Sequence, residues 1–156
     1  VELARELNVL DDYLAIMQVR FEHRLTVRNE VAPDVRDAMV PDMILQPIVE
    51  NAIKHGVTQR SSPGWVEIAA ARTGNELTLS IEDNGPGAAL DDDLPKGVGL
   101  SNVRSRLDQM YGDAASLTLT TGREGGVRAT LTLPYHTHSS FDDEPFPADH
   151  DAVAYA

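Results

Sequence analysis

Two pairs of alternating polar and apolar runs constrain this chain more than any other feature. Residues 65–72 and 76–83 alternate and are joined by Thr73-Gly74-Asn75, and residues 117–121 and 127–133 alternate around Gly122 and Gly125-Gly126. Each pair reads as a β-hairpin, because alternation at period two sorts side chains onto the two faces of a strand and glycine supplies the turn. A further alternating run, 24–31, reads as a half-buried strand. Helical stretches interrupt these runs: an apolar seam over 3–17, a segment that Pro41 and Asp42 open and that runs to about Gly56, and a stretch over about 100–111. Helices interspersed with antiparallel hairpins favour an α+β fold, a two-layer sandwich with helices on one face of a mixed sheet.

In the first helix Leu3, Leu7, Leu10, Leu14 and Met17 stand at alternating steps of four and three, a heptad seam. Periodicity identifies the buried side of such a helix but not its partner. The seam suits equally the core of its own domain and a coiled coil or bundle that continues upstream. The chain opens on Val1-Glu2-Leu3 with no initiator Met and is expected to be a piece of something longer. After Pro134 the composition turns to His, Ser, Asp and Pro with isolated aromatics, so residues 135–156 are expected to form a disordered acidic tail.

At 156 residues the chain is one domain large enough to bury a core, and it has no apolar run long enough for a transmembrane helix or signal peptide. Cysteine is absent, which removes disulfides, thiolate metal sites and cysteine nucleophiles together. A formal net charge of −12 argues against binding to nucleic acid. A polyphosphate ligand would meet the same repulsion and would need a divalent cation and a local concentration of basic side chains. Lys54, Lys96, Arg104 and Arg106 are placed for that, and the tail carries five of the acidic residues and no Lys or Arg.

Three polar clusters could carry chemistry. In the first, Gln46, Pro47, Glu50, Asn51, Lys54 and His55 fall on one half of a helical wheel, with Leu45, Ile48, Val49, Ala52 and Ile53 on the other. The amide oxygen of Asn51 is a hard ligand suited to Mg²⁺, and Lys54 one turn on is a point charge suited to phosphate. A solvated face with a Glu50–Lys54 pair is the plainer alternative. The second cluster, Asp83-Asn84-Gly85-Pro86-Gly87, carries an Asn-Gly hairpin signal, yet the stretch from Pro86 to Asp93 does not alternate. The turn therefore leads into a loop, where glycine allows close approach of backbone to a ligand and a strand-end carboxylate could accept a hydrogen bond from an exocyclic amine. In the third, Gly97-Val98-Gly99 lies ahead of a helix and offers free backbone N–H groups to an anion; a flexible loop is the alternative.

Taken in order, these residues resemble the GHKL superfamily of ATP-binding domains, and within it the catalytic domain of LytS-type sensor histidine kinases. Residues 45–56 (Leu-Gln-Pro-Ile-Val-Glu-Asn-Ala-Ile-Lys-His-Gly) are similar to that group's N box, 83–87 to its G1 box and 97–107 (Gly-Val-Gly-Leu-Ser-Asn-Val-Arg-Ser-Arg-Leu) to its G2 box. Tyr13-Leu14-Ala15-Ile16 with Arg20-Phe21 is also similar to the segment that precedes the N box there. The resemblance implies the Bergerat sandwich, ATP and Mg²⁺ as ligands, and phosphoryl transfer to a histidine and then to a response regulator. It implies Asn51 as the Mg²⁺ ligand, Lys54 and His55 facing the phosphates, and Asp83 on adenine N6 beside Gly85 and Gly87. Gly97, Gly99, Leu100, Asn102 and Arg104 would line the phosphate side beneath a short lid over about 88–96.

The same resemblance divides the chain into a linking helix over 1–22, an ATP-binding domain over 23–134 and the tail over 135–156. It implies a cytoplasmic domain of a membrane-bound kinase that is a homodimer when complete. Two departures shape the expectation. Relatives of the gyrase type carry a Glu four residues before the metal-binding Asn to activate water; here that position is Pro47, which cannot act as a base. None of His23, His55, His136, His138 or His150 has the Pro-His-Phe-like context of an acceptor, so the histidine that takes the phosphate is expected outside this chain. A non-catalytic nucleotide-binding or docking module stands as the alternative, and a hydrolase ranks below both.

Overall fold

The computed structural model describes residues 1–57, 63–86 and 97–137. A five-stranded sheet in the order β1-β2-β3-β5-β4 forms one layer. Its strands are β1 (Leu25–Val31), β2 (Gly64–Thr73), β3 (Glu76–Asp83), β4 (Ser116–Thr121) and β5 (Val127–Pro134). Three helices, α1 (Leu3–Arg20), α2 (Gln46–His55) and α3 (Gly97–Tyr111), supply the other layer. Both hairpins form as their patterns require: β2 meets β3 across Gly74-Asn75, with Thr73 opposite Glu76, and β4 meets β5 with Thr121 opposite Val127. Only β1 is parallel to its neighbour, β2. A parallel pair needs a long crossover, and α2 lies within it.

The register explains which side is covered. Ile68, Ile81, Ala129 and Leu119 form one row across the sheet, and Ala70, Leu79, Leu131 and Leu117 the next. These rows join the apolar halves of the helices in a single core that includes Leu7, Leu10, Ile48, Val49, Val103 and Leu107. The opposite face is polar, with Thr78, Ser80, Thr130 and Thr132 at its centre. On it, Arg28 and Arg123 lie over the Trp65 ring at 4.5 and 5.3 Å from its centroid.

The heptad seam of α1 is resolved in favour of the domain's own core: Leu3, Leu7, Leu10 and Leu14 are buried there, with Met17 packed at its edge. Two helix starts differ from expectation. α2 begins at Gln46, not near Pro41, because residues 42–45 are held in a turn by the carboxylate of Glu6 on α1. α3 begins at Gly97, so Gly97 and Gly99 are its first turn and not a loop ahead of it.

Tyr135, His136 and Thr137, expected in the tail, are tied to the domain. The Tyr135 N–H donates to the Asn75 carbonyl at 2.7 Å, and the Arg72 guanidinium stacks 3.9 Å from the Tyr135 ring centroid. The Met39 N–H donates to the His136 carbonyl at 2.9 Å, and Thr137 bridges to Ala38. Residues 138–156 lie outside the described part. Among the described residues no helix is long and apolar enough to cross a membrane.

Candidate functional site

Asp83 ends β3 in phase with Leu77, Leu79 and Ile81, so alternation turns its carboxylate to the helix side of the sheet, where it is 3% exposed. Three glycines close around it. A Cβ on Gly56, at the end of α2, would lie 2.5 Å from Asp83 Oδ1 and 2.5 Å from the Ala52 carbonyl oxygen. A Cβ on Gly126, in the β4–β5 hairpin, would collide with the Asp83 backbone carbonyl and come within 2.7 Å of Oδ1. A Cβ on Gly85 would collide with the Gly56 backbone. No side chain other than hydrogen fits at these positions while the carboxylate keeps its place.

The Gly85 N–H donates to Asp83 Oδ1 at 2.8 Å, and the Val127 N–H donates to the same carboxylate. Burial pushes the Asp83 carboxyl above the ordinary aspartate range; the two N–H donors oppose that rise and the neighbouring Glu82 charge adds to it. Asn84, the next residue, points back into the sheet, and its Oδ1 accepts the Trp65 backbone N–H at 2.7 Å. The Asn-Gly pair is therefore not a hairpin turn. Its amide extends the β2–β3 pairing by one bond and leaves Gly85 free to turn against Gly56.

Glu82 points the other way, to the open face, and is 2% exposed. It accepts from Arg128 at 2.7 Å and from the Arg123 backbone N–H at 2.7 Å, with the Arg123 side chain at 3.3 Å. Burial alone would raise its pKa, but these donors together with the Arg128 charge hold the carboxyl below its usual range.

α2 connects this end to a second one. Its apolar side, Ile48, Val49, Ala52 and Ile53, is buried, while Asn51 is half-buried and Glu50, Lys54 and His55 are exposed. Glu50 accepts from Gln46 at 3.0 Å, one turn back. At the start of α2, Pro47 lies beside the first turn of α3: a Cβ on Gly99 would be 3.6 Å from Pro47 Cβ. Pro47 and Asn51 are one turn apart on the same side of the helix. The three sequence clusters thus meet along α2, with Gly99 at its first turn, Asp83 and Gly85 at its last, and Asn51 and Lys54 between. A helix of ten residues is about 15 Å long, a span on the scale of a nucleoside triphosphate.

Not every expected residue faces this line. Leu100 is buried in the core with Val103 and Leu107, while Asn102 is on the exposed side of α3. Arg104 Nη2 donates to the Leu117 carbonyl at 2.6 Å and so ties α3 to β4. Gly87 and the lid over 88–96 lie outside the described residues. Gly126 was missed as a site residue: its Gly-Gly context reads as a turn, and only the register of β5 on β3 brings it to Asp83.

The metal can be tested on its donors. Among the described residues no group of three or more His, Asp or Glu side chains could hold an ion unaided. Mg²⁺ keeps most of its shell as water and phosphate and asks for one or two protein oxygens. A single amide such as Asn51 fits an ion that arrives with its nucleotide.

A mixed sheet covered on one face by helices is the fold of histidine kinase catalytic domains of known structure. The chain matches the kinase domain of the blue-light-activated histidine kinase of Erythrobacter litoralis EL346 with a TM-score of 0.67 at 21% identity, over 93% of this chain and 67% of that one. It matches the mycobacterial sensor histidine kinase MprB at 0.61 and 17% identity, over 85% and 95%. Residues 37–137 match the family described as histidine kinase-, DNA gyrase B- and HSP90-like ATPase, and the chain belongs to that family. With the sensor histidine kinase BtsS of Escherichia coli K12 it shares 38% identity over 135 residues, 86% of this chain and 24% of BtsS. With the sensor protein LytS of Staphylococcus haemolyticus it shares 32% over 149 residues, 88% and 25%. With YwpD of Bacillus subtilis the values are 35% over 142 residues, 86% and 51%. The chain spans a quarter to a half of the length of these relatives.

Proposed function

We propose that this chain is the ATP-binding, phosphoryl-donating part of a two-component sensor histidine kinase. The observation that carries the reading is the Asp83 carboxylate, buried among Gly56, Gly85 and Gly126 just past the end of α2, with Asn51 at the middle of that helix and Lys54 in its last turn. Asp83 accepts the adenine N6–H, a bond the ionised carboxylate makes more strongly than the acid, and the absent Cβ atoms let Gly56, Gly85 and Gly126 close on that residue and fix its place. Asn51 presents its amide oxygen to the Mg²⁺ that accompanies the phosphates, and Lys54 adds positive charge one turn on. When bound, that ion neutralises charge on the transferring group.

In the transfer step an imidazole nitrogen of a histidine outside this chain forms a bond to Pγ while the bond from Pγ to the β–γ bridging oxygen breaks. ADP leaves with that electron pair. Such a reaction is accelerated by positioning and charge neutralisation and asks little covalent chemistry of the protein. Pro47 offers no base to activate water, which supports transfer over hydrolysis. The phosphoryl group then passes to an aspartate of a response regulator. The complete protein is a homodimer whose kinase part is on the cytoplasmic side of a membrane.

The test adds to this chain a longer form that includes the upstream segment, supplied with Mg²⁺ and ATP labelled on Pγ. Acid-labile label on histidine is expected in the longer form, and its loss in Asn51→Ala and Asp83→Asn. Nucleotide binding with no phosphohistidine would support the docking-module alternative. Steady phosphate release without an acceptor would instead make the chain a hydrolase.

A further inference from the structure

The start of α2 has no cap of its own. Leu45 occupies the cap position, contributes no side-chain bond, and Pro47 stands in the first turn. Within the helix the Ile48 and Val49 N–H groups both donate to the Leu45 carbonyl at 3.0 Å. The turn that leads into the helix is held from α1: Glu6 is 3% exposed, its Oε2 accepts the Met43 N–H at 2.8 Å and its Oε1 the Leu45 N–H at 3.1 Å. Both carboxylate oxygens are thus committed to one turn, 42–45, nearly forty residues away in sequence. Met43 in that turn sits at φ +60°, a left-handed conformation that a side chain seldom adopts without being held.

The carbonyls of the same turn are held from the other side. Arg106, on α3, donates Nη2 to the Asp42 carbonyl at 2.7 Å and Nη1 to the Met43 carbonyl at 3.5 Å. α1 therefore grips the N–H groups of the turn and α3 grips its carbonyls. α2 leaves the turn directly, and its Pro47 packs by Gly99. We infer that Glu6 and Arg106 are positioning residues that clamp the 42–45 turn and thereby fix where α2 presents Asn51 relative to the first turn of α3. The clamp governs the metal and phosphate end of the site. The adenine end is set separately by the glycines around Asp83 on the sheet.

This inference rests on the proposed nucleotide site, and the test separates the two. Binding of adenosine, and of a non-hydrolysable ATP analogue with Mg²⁺ or with EDTA, is measured by calorimetry on the whole chain. The wild-type chain is expected to bind the analogue more tightly with Mg²⁺; if it does not, the nucleotide site fails before the clamp is tested. Glu6→Gln keeps one acceptor oxygen and turns an NH₂ toward a backbone N–H; Arg106→Gln releases the carbonyls. Each is expected to cut the Mg²⁺-dependent gain by about 10- to 100-fold, the range typical when the support of a metal ligand is lost, with adenosine affinity unchanged. The double variant is expected to be no worse than the weaker single one. An unchanged Mg²⁺-dependent gain in Arg106→Gln, or an equal loss of adenosine affinity in both variants, overturns the clamp. If Glu6→Gln fails to fold, Arg106→Gln alone carries the decision.

Discussion

Gly56 and Asp83 meet across the end of α2 so closely that a Cβ on the glycine would lie 2.5 Å from the carboxylate oxygen. Gly126 presses on the same residue from the β4–β5 hairpin, against backbone that cannot swing aside. Gly126→Ala is expected to lower stability by about 1–3 kcal/mol, as overpacking does, and to weaken nucleotide binding with it. Gly74→Ala serves as the control. That position has φ +61° and open space around it, so it should cost about 1 kcal/mol of backbone strain and leave nucleotide affinity unchanged in the same titration.

Asp83 is expected to make binding and stability respond oppositely to pH. Its folded pKa is raised, chiefly by burial, so the folded state holds the proton to a higher pH than the unfolded chain does. Stability of the ligand-free protein therefore falls as pH rises from the ordinary aspartate range through the raised value. Over that interval nucleotide affinity should rise, since the carboxylate accepts adenine N6–H more strongly than the acid does. Asp83→Asn removes both trends. Urea unfolding and nucleotide titration across the acid range, each taken as the difference between wild type and Asp83→Asn, should show slopes of opposite sign.

Glu82, one residue earlier and on the other face, carries the opposite linkage. Its folded pKa is lowered by the N–H and guanidinium donors of Arg123 and Arg128. The stabilisation is complete above the ordinary glutamate pKa and disappears as pH falls through the lowered value. Glu82→Gln should cost about 1–3 kcal/mol at neutral pH, the range for a buried acceptor left short of its partners, and little in acid. A gap between the two proteins that persists unchanged to low pH would refute this assignment.

α1 is expected to be integral to the domain. Leu10→Ala should destabilise by about 2–5 kcal/mol, as truncation in a packed core does. Ile16, on the same helix, is 62% exposed, and Ile16→Ala should stay within about 0.5 kcal/mol. Chemical denaturation of the two variants checks the pair; equal losses would place the packing seam elsewhere.

Much of the fold was readable because its signals are local. The hairpins at Gly74-Asn75 and Gly122 to Gly126 and the apolar side of α2 follow from period and turn chemistry confined to a few residues. The unreadable parts depend on contacts across the chain. The start of α2 could not be read from Pro41 and Asp42, because the turn before it is held through the Met43 and Leu45 N–H groups by Glu6 on another helix. Gly97 and Gly99, weak helix formers, suggested a loop before Leu100, whereas the helix includes them. The bond from Arg104 Nη2 to β4 spans two elements and has no local signal either. At the site, residue types at the three clusters were legible, and the enclosure of Asp83 by Gly126 was not, since no local pattern announces which turn a sheet will fold against.

α2 also acts as a gauge. Pro47 near one end abuts Gly99, and Gly56 just past the other abuts Asp83. The separation of the two contacts is therefore counted in residues along a rigid rod. Adding or removing one residue would turn everything beyond it by about 100° and shift it by about 1.5 Å, so that no single change could keep both contacts. Between positions 47 and 56 evolution can exchange side chains but cannot alter the tally. Length variation in such a domain is confined to the segments that join the gauge to the rest.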